Sequence, residues 1–512
     1  MTMEETAANN NNNGSQDLET EFAERSVWLM KCPSLIAPSF EPLPFEEDPY
    51  LPVAKVILSI DPLAIVDEEE TKVVMELTRA ESGNVPKRFG LDVSKDFIPM
   101  SAFSQSSQVF RTSLFGAKVI ISTDHEVNME MAKSSTQLGA TESLRRLFGE
   151  NSDFLQRKEI DKYVRNLTSR FVGPENLKTN LIQDMYVLSR NYFEMDDKAI
   201  SSSFDIKEAA TKMVVDLIVK KVIGEMEYEA IRELGLCWTA FRTNWFSFSY
   251  SVPGTTVYRF VKARSKVTKL LKSVIQKKNA SKEGLGDFLD ILFDEMKKDG
   301  AALDIDRAVN LIFTFFILSQ ETTHGILAAT VKLVADHPDV MEELKREHDA
   351  VIENQGDNQA GLTWEEYTSM TFTHMVIKET LRFTSAQPTV HRIPTEDARV
   401  GGYTVPAGWF FFGIPLVHFD EEKYEDPLKF NPWRWKGKDL HGTLSKDYIP
   451  FGAGATLCVG SEFAKCIIAV FLHHLSRFRW SLDPKTRVLR RYMLMFPAGC
   501  KVEIAKELSD QS

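Results

Sequence analysis

The chain has 512 residues, of which 43% are hydrophobic and 26% charged, and its formal net charge is −12. This composition is typical of a soluble globular protein with a sizeable core, and the lack of a basic excess argues against direct nucleic acid binding. Five scattered cysteines without a CxxC pair argue against a disulfide framework or a zinc finger.

The first part of the chain is predicted to contain a polar tail followed by a β-rich segment. Residues 1–20 are polar and of low complexity, which predicts a disordered tail. Residues 21–108 contain runs rich in Val, Ile and Leu, separated by proline-rich or acidic spacers. This pattern predicts strands at Ser26–Lys31, Val53–Ile60 and Lys72–Leu77.

Charge is distributed unevenly along the chain. Residues 1–108 contain 19 acidic and 8 basic side chains, whereas the remainder contains 54 acidic and 53 basic side chains. We found no run of about 18 apolar residues that would indicate a transmembrane helix. We therefore expect a cytosolic or peripheral membrane location.

Helical patterns predominate after residue 109. Residues 112–123 predict a hairpin around Gly116. A helix of unusual length is predicted to begin near Asp304 or Asp306 and to end before Pro338.

Two further helices are indicated by their boundaries. Thr363 and Glu366 have the spacing of a capping box, which marks the start of a helix. A last helix is predicted from about Gly460 to Arg477, after an irregular Pro/Gly-rich region. We therefore expect a mainly α fold with small β-sheets.

A single cysteine lies in a glycine-rich loop. Residues 448–460 read YIPFGAGATLCVG, and the glycines allow the backbone to turn tightly and to approach a flat ligand. Backbone amides of the loop and of the following helix are expected to favour a Cys458 thiolate. One such thiolate suits an iron with a single strong axial donor. The alternative is a small buried hydrophobic residue.

The spacing of Phe451, Gly454, Cys458 and Gly460 matches the F-x-x-G-x-x-x-C-x-G loop of the cytochrome P-450 family, which the chain resembles over about residues 110–506. The resemblance implies a cytochrome P-450 fold for residues 109–512, without the usual membrane anchor. It also implies haem b as cofactor, bound by these four residues with Cys458 as the axial ligand to the metal.

Charged residues outside the loop extend this resemblance. Glu379 and Arg382 lie three apart and share one face of a helix, which alone predicts only a weak surface ion pair. By resemblance they form a buried triad with Arg434. Arg165 and Arg392 match residues that bind the haem propionates, although either is also compatible with an ordinary surface charge.

The long helix carries Glu321 and Thr322 after an apolar run. By resemblance they are the catalytic acid–alcohol pair that supplies protons during oxygen activation. The alternative is a solvated Glu beside a Thr that hydrogen-bonds to the preceding turn. Three phenylalanines of this helix are candidates for apolar walls of the haem site, although core packing is the favoured explanation of each: Phe313, Phe315 and Phe316.

The family resemblance implies a monooxygenase that uses dioxygen and receives electrons from an NADPH reductase. Within the family, the sequences KYEDPLKFNPWRW, YIPFGAG and YMLMFPAGC resemble the plant branch that oxidises triterpenes, sterols and brassinosteroids. The expected substrate is therefore a lipophilic small molecule. Three positions depart from the family pattern, namely Thr456, Asp161 and the Leu318-Ser319 pair.

Residues 21–108 resemble a different family, the N-terminal domain of the small (beta) subunit of the transcription factor TFIIF. The matching stretches are residues 24–33, 52–62 and 81–108. This resemblance implies a truncated barrel half that binds the TFIIF large subunit. It leaves open an alternative function, in which the chain is a non-catalytic fusion or chimera whose N-terminal module binds a protein partner.

Overall fold

A computed structural model describes most of the chain after residue 109 and three short strands before it. The described residues are 54–59, 72–77, 88–91, 109–114, 117–134, 136–138, 158–194, 204–223, 235, 256–281, 288–355, 361–385, 390–442, 447–454, 457–490 and 494–505.

Helices account for most of these residues, as the sequence predicts. They are α1 (His125–Lys133), α2 (Lys158–Val172), α3 (Pro174–Asn176), α4 (Ile182–Glu194), α5 (Ile206–Ile218), α6 (Thr256–Ser281), α7 (Phe288–Met296), α8 (Ile305–Asp336), α9 (Pro338–Gln355), α10 (Trp364–Ser369), α11 (Thr371–Thr384) and α12 (Ser461–Leu475). Short π-helical turns at Leu177–Leu181 and Val219–Ile223 join or extend helices, and 3-10 turns occur at Leu416–Phe419 and Pro432–Trp435.

The strands are short and form small sheets. They are β1 (Ala54–Ser59), β2 (Lys72–Leu77), β3 (Arg88–Leu91), β4 (Val109–Leu114), β5 (Ala117–Ser122), β6 (Thr136–Leu138), β7 (Phe204–Asp205), β8 (Val390–Pro394), β9 (Ala398–Val400), β10 (Tyr403–Val405), β11 (Phe410–Gly413), β12 (Arg479–Leu482), β13 (Leu489–Arg490), β14 (Leu494–Met495) and β15 (Lys501–Ala505). The strand order in the larger sheet is β4-β5-β11-β8-β6, and a second sheet has the order β12-β15-β7.

The larger sheet joins distant parts of the chain. β4 and β5 form the antiparallel hairpin predicted around Gly116. β5 then pairs in parallel with β11, which places Ile120 opposite Phe411, and both side chains are fully buried. The sheet thereby fixes β8 beside β11.

The long helix α8 runs through the core. Its predicted start is confirmed, because the Asp304 carboxylate accepts a hydrogen bond from the Arg307 amide at 2.8 Å and caps the helix. Among the described helices, α8 alone is long and apolar enough to span a membrane by length and composition, and 76% of that apolar window is buried within the protein. The burial identifies α8 as a core helix.

The capping box predicted for α10 is confirmed. Thr363 Oγ1 accepts from the Glu366 amide at 3.1 Å, and the Glu366 carboxylate accepts from the Thr363 amide at 2.7 Å. The next helix, α11, lacks a side-chain cap of its own at Met370. Instead, Glu347 of α9 accepts hydrogen bonds from two amides in the first turn of α11, so that a neighbouring helix satisfies its N-terminus.

In the N-terminal segment, two of the predicted runs are strands. β1, β2 and β3 form an antiparallel three-stranded sheet. The predicted strand Ser26–Lys31 and the predicted tail at residues 1–20 lie outside the described residues. Three described strands do not establish the expected barrel half.

Candidate functional site

A cavity of about 280 Å³ separates α8 from the loop that carries Cys458. One wall consists of α8 residues including Leu318 and Thr322. The opposite wall contains Phe451, Cys458 and Gly460. The predicted loop and the predicted helix therefore face each other.

Backbone hydrogen bonds close the cysteine loop on itself. The Cys458 amide donates to the Phe451 carbonyl at 3.0 Å, and the Leu457 amide donates to the Gly454 carbonyl at 3.2 Å. Gly454 has a φ of +66°, and a Cβ at this position would lie 2.0 Å from the Ala132 carbonyl oxygen of α1. A glycine is therefore required where the loop contacts α1.

The Cys458 thiol is exposed to the cavity and enclosed by protein on its other sides. Burial raises its pKa, and this effect outweighs the Gly460 amide and Arg165, which both lower it. The backbone amide of Gly460 acts in the predicted direction, but the effect of burial is larger and the net direction of the pKa is upward. A metal cation bonded to the sulfur would reverse the direction, because coordination deprotonates a thiol.

Two arginines reach the cavity from different elements. Arg165 of α2 donates to the Leu457 carbonyl of the cysteine loop. Arg392 of β8 donates to the Ala453 carbonyl at 3.3 Å and is 2% exposed. Burial, with a further contribution from Arg165, lowers the pKa of Arg392 to about 10. Two guanidinium groups at one cavity wall create a site for an anion.

The structure brings the predicted triad together. Arg382 donates to both Glu379 carboxylate oxygens, at 3.0 and 2.8 Å, and both side chains are fully buried. Arg434 donates from Nε to Glu379 Oε1 at 2.9 Å. None of the three lines the cavity, but Leu381, next to Arg382, does. The triad therefore lies one layer behind the cavity wall.

Sequence reasoning missed three partners in this region. The Asn431 amide and the Trp435 indole donate to Glu379 at 3.0 and 2.9 Å. His418 accepts from the Ile449 amide at 2.9 Å, and its Nδ1 lies 3.3 Å from Ser385 Oγ, so that it joins the end of α11 to the start of the cysteine loop. No local pattern marks these residues, because each contact spans more than 30 positions in sequence.

The α8 wall only partly matches the predictions. Thr322 lines the cavity, and its hydroxyl donates to the Leu318 carbonyl at 3.2 Å, as in ordinary Thr back-bonding. The Ser319 hydroxyl likewise donates to the Phe316 carbonyl at 3.1 Å. Glu321 lies within α8, but its side chain is outside what the structure describes.

Of the three phenylalanines considered as walls, only Phe315 lines the cavity. Phe313 and Phe316 are fully buried in the core and do not line the cavity, which confirms core packing as the favoured explanation for these two residues. A helix turns 100° per residue, and positions 311, 315, 318 and 322 share the face that meets the cavity. Among the departures from the family pattern, Thr456 and the Asp161 side chain lie outside the described residues.

The residues at this cavity fit haem. Cys458 provides one sulfur at the wall, and Arg165 and Arg392 provide two positive charges for the two propionates. The backbone at Gly460 passes close to the sulfur, since a Cβ there would lie in ordinary contact with Sγ, at 4.0 Å. Phe463 of α12 and Phe315 of α8 line the same cavity with apolar surface.

Comparison with known proteins agrees with this geometry. The family model described as cytochrome P450 matches residues 67–501. The chain is 34% identical to cytochrome P450 708A2 of Arabidopsis thaliana, over 78% of this chain and 85% of that protein. It is 30% identical to cucurbitadienol 11-hydroxylase of Siraitia grosvenorii, over 77% of this chain and 84% of that protein.

A further relative is beta-amyrin 16-alpha-hydroxylase CYP87D16 of Maesa lanceolata, which is 31% identical over 80% of this chain and 86% of its own length. The fold resembles the retinoic acid-bound cyanobacterial CYP120A1 with a TM-score of 0.69, at 22% identity, over 80% of this chain and 93% of that one. These matches give no support to a TFIIF-like segment, and the family match begins at residue 67, inside residues 21–108.

Proposed function

This chain belongs to the cytochrome P450 family and is a haem-dependent monooxygenase, and we propose that it hydroxylates a triterpene- or sterol-type substrate, with Cys458 as the axial ligand. The observation that carries the proposal is the placement of Cys458 across one cavity from Thr322. Such a cavity allows haem to contact the sulfur on one side and α8 on the other.

Haem b, when bound, supplies the redox chemistry that activates dioxygen. In our proposal Cys458 provides the thiolate, while Arg165 and Arg392 neutralise the propionates. Phe451, Gly454 and Gly460 shape the loop around the ligand. The Thr322 hydroxyl holds a proton at the cavity wall, and Glu321 supplies protons to it from within α8.

The triad has a positioning role in this proposal. Glu379 ties α11 to the 432–435 turn through Arg434 and Trp435, and His418 ties the end of α11 to the cysteine loop. Because these contacts are buried, they restrict the movement of the loop relative to α11. The sulfur is thereby held at one position in the cavity.

The substrate class rests on the relatives and on the lining. Two relatives are named for hydroxylation of cucurbitadienol and of beta-amyrin, and another is named as a cholesterol 22-monohydroxylase. Among individual enzymes of this plant branch, the sequence resembles thalianol hydroxylase. Apolar side chains such as Leu311, Phe315 and Ile326 line the α8 wall of the cavity. A largely apolar wall suits a polycyclic lipophilic substrate.

Electrons come from a separate reductase, as in other hydroxylases of this family.

A carbon monoxide difference spectrum of the reduced protein tests the proposed ligand. The wild type should show the red-shifted Soret band of thiolate-ligated haem, and Cys458→Ser should lose it. The control is Cys466→Ala, because Cys466 is fully buried in α12 and does not line the cavity. A folded wild type without the band, or a Cys458→Ser protein that keeps it, would overturn the assignment.

The substrate class has its own test. Titration of the haem-loaded protein with a triterpene alcohol or a sterol should shift the Soret band by displacing water from the cavity. A linear fatty acid of similar hydrophobicity serves as the comparison. An equal or stronger shift with the fatty acid would contradict the proposed class.

A further inference from the structure

A second cavity, of about 170 Å³, lies among the C-terminal parts of α8 and α12, helix α9 and strand β12. Met341 and Lys345 of α9 line one side of it, and Arg479 and Trp480 of β12 line another. We call it the α9–β12 cavity. Among the described residues, none lines both this cavity and the one that contains Cys458. The two cavities are therefore separate sites in the fold.

The inner wall of the α9–β12 cavity is apolar. Leu344, Leu472 and Leu475 line it, and each is at most 4% exposed. Phe478 and Trp480 add two partly buried aromatic rings. An apolar cavity of about 150 Å³ in a protein core holds one benzene ring. The α9–β12 cavity therefore has the size for a single ring with a short substituent, and it is too small for a triterpene or a sterol.

A buried histidine lines the cavity without adding charge to it. His348 is fully buried, its Nδ1 lies 3.2 Å from His473 Nδ1, and its Nε2 lies 3.2 Å from Thr373 Oγ1. Burial, together with the nearby His473 and His474, holds the pKa of His348 well below its usual value. His348 therefore presents a neutral ring to the cavity, and both ring nitrogens already have partners within the protein.

The charged side chains that line the cavity are both positive. They are Lys345 and Arg479, and no carboxylate joins them among the described lining residues. Lys345 is paired with Asp349 at 3.1 Å, near the protein surface. Arg479 is exposed, and it forms no ion pair within the part of the chain that the structure describes. An apolar cavity with one unpaired cation at its opening is complementary to an amphipathic anion.

We propose that the α9–β12 cavity binds an aromatic monocarboxylate, with its ring against the apolar wall and its carboxylate on Arg479. A guanidinium can donate two parallel hydrogen bonds to one carboxylate, which fixes the orientation of the ligand. Phe478 and Trp480 favour a ring over an alkyl chain, because aromatic pairs gain from offset and edge-to-face contacts beyond the area they bury. This site needs neither haem nor Cys458.

Calorimetric titration of the haem-loaded, full-length protein with 3-phenylpropionate tests this site. The neutral amide of the same shape, 3-phenylpropanamide, should bind about tenfold more weakly, because it lacks the charge that pairs with the guanidinium. Arg479→Gln should weaken binding of the acid about tenfold and leave binding of the amide unchanged. Equal affinity for acid and amide, or an unchanged affinity in Arg479→Gln, would overturn the proposal.

A second variant locates the ligand without changing charge. Met341→Trp should abolish binding by filling the cavity, and Met341 is only partly buried, so the larger side chain can be accommodated without forcing the core apart. Its carbon monoxide spectrum should match that of the wild type, which shows that the variant is folded. A folded Met341→Trp protein that binds 3-phenylpropionate as the wild type does would place the ligand elsewhere and contradict the proposal.

The matched control is Arg399→Gln, because Arg399 is also an exposed arginine in a strand but lines neither cavity. It should bind 3-phenylpropionate as the wild type does, and a loss equal to that of Arg479→Gln would contradict a specific role of Arg479. The Soret band should stay in place as the α9–β12 cavity fills. A Soret shift with the same midpoint as the heat signal would place the ligand beside the haem instead. Absence of binding would refute this site and leave the proposed function untouched, since the carbon monoxide spectrum reports on the haem site separately.

Discussion

Glu379 accepts five hydrogen bonds, from Arg382, Arg434, Trp435 and the Asn431 amide, within a fully buried site. A buried carboxylate is stable only when its lone pairs are satisfied and its charge is balanced. Here two guanidinium groups and an indole meet both requirements. Through its hydrogen bonds with Arg434 and Trp435, Glu379 therefore connects α11 to the 432–435 turn.

Glu379→Gln keeps the shape of the side chain and removes its charge. It should lower the free energy of unfolding by about 3–5 kcal/mol, because Arg382 remains buried without its carboxylate. Urea unfolding measures this change. Asp349→Asn is the control, since it breaks an exposed pair with Lys345 and should cost less than about 1 kcal/mol. Equal losses for the two variants would contradict the role of burial.

Whether a contact of Glu379 can be predicted from the sequence depends on how far apart the two bonded residues lie along the chain. Glu379 and Arg382 are three residues apart, so helix geometry alone places them together. Arg434 is 55 positions from Glu379 and was predicted only by family resemblance. Trp435 and His418 were not predicted, because their roles depend on packing between segments that no local pattern relates.

Helix caps and the hairpin turn could be predicted from the sequence, whereas contacts between helices or strands that are distant in sequence could not. Asp304, the Thr363–Glu366 box and the hairpin around Gly116 each act within a few residues. Glu347 belongs to α9 but caps the N-terminus of α11. This cap could not be predicted, because the start of α11 has no Ser/Thr-x-x-Glu capping box in its own sequence. The N-terminal pattern correctly predicted β1 and β2, whereas the TFIIF resemblance of residues 21–108 found no support.

The close contact between the cysteine loop and α1 makes Gly454 sensitive to substitution. Gly454→Ala should misplace the loop, because its Cβ would lie 2.0 Å from the Ala132 carbonyl oxygen. The variant should lose most of the red-shifted Soret band at equal protein concentration, and its haem should dissociate faster.

Gly437→Ala is the matched control for this variant. Gly437 has a φ of +75°, similar to the +66° of Gly454, but nothing lies within 4 Å of the position of its Cβ. It should therefore show only the cost of a left-handed backbone, about 1 kcal/mol in unfolding free energy, with the spectrum retained. If both variants lost the red-shifted Soret band equally, the cause would be backbone strain and not the contact with α1.

Six histidines with lowered pKa values make the free energy of unfolding depend on pH; five are buried, and the sixth, His391, is partly buried at the cavity wall. Burial is the main cause that holds the pKa of each below its usual value, to about 4 for His374 and His473 and to about 3 for His391, His418 and His474. Burial also places the pKa of His348 well below its usual value.

Between about pH 6.5 and pH 4 the unfolded chain binds protons that these rings do not bind. The free energy of unfolding should therefore fall as the pH is lowered from about 7 to about 5. Glu347 and Asp216, whose pKa values are raised by burial, oppose this change only partly. Urea unfolding across this range measures the slope, and a stability independent of pH would contradict the prediction.

His474→Phe isolates one of these groups. The His474 Nδ1 lies 3.1 Å from the Val470 carbonyl, and its Nε2 has no hydrogen bond among the described residues, so an apolar ring of similar size fits the site. The variant should lose about one proton of the pH dependence, or about 1.4 kcal/mol per pH unit. An unchanged slope would show that His474 does not contribute.

The parallel pairing of β5 with β11 also sets an order of events during synthesis. About 290 residues separate the paired strands, so the ribosome needs roughly 15 to 60 s after β5 emerges before β11 is made. Throughout that interval one edge of the β4–β5 hairpin waits without its native partner and is open to wrong pairing with other chains. Production of this protein should therefore depend on chaperones that shield that edge. Slower growth at a lower temperature should change the yield of soluble protein, and this effect on yield should be larger than the effect of the stability of the folded protein.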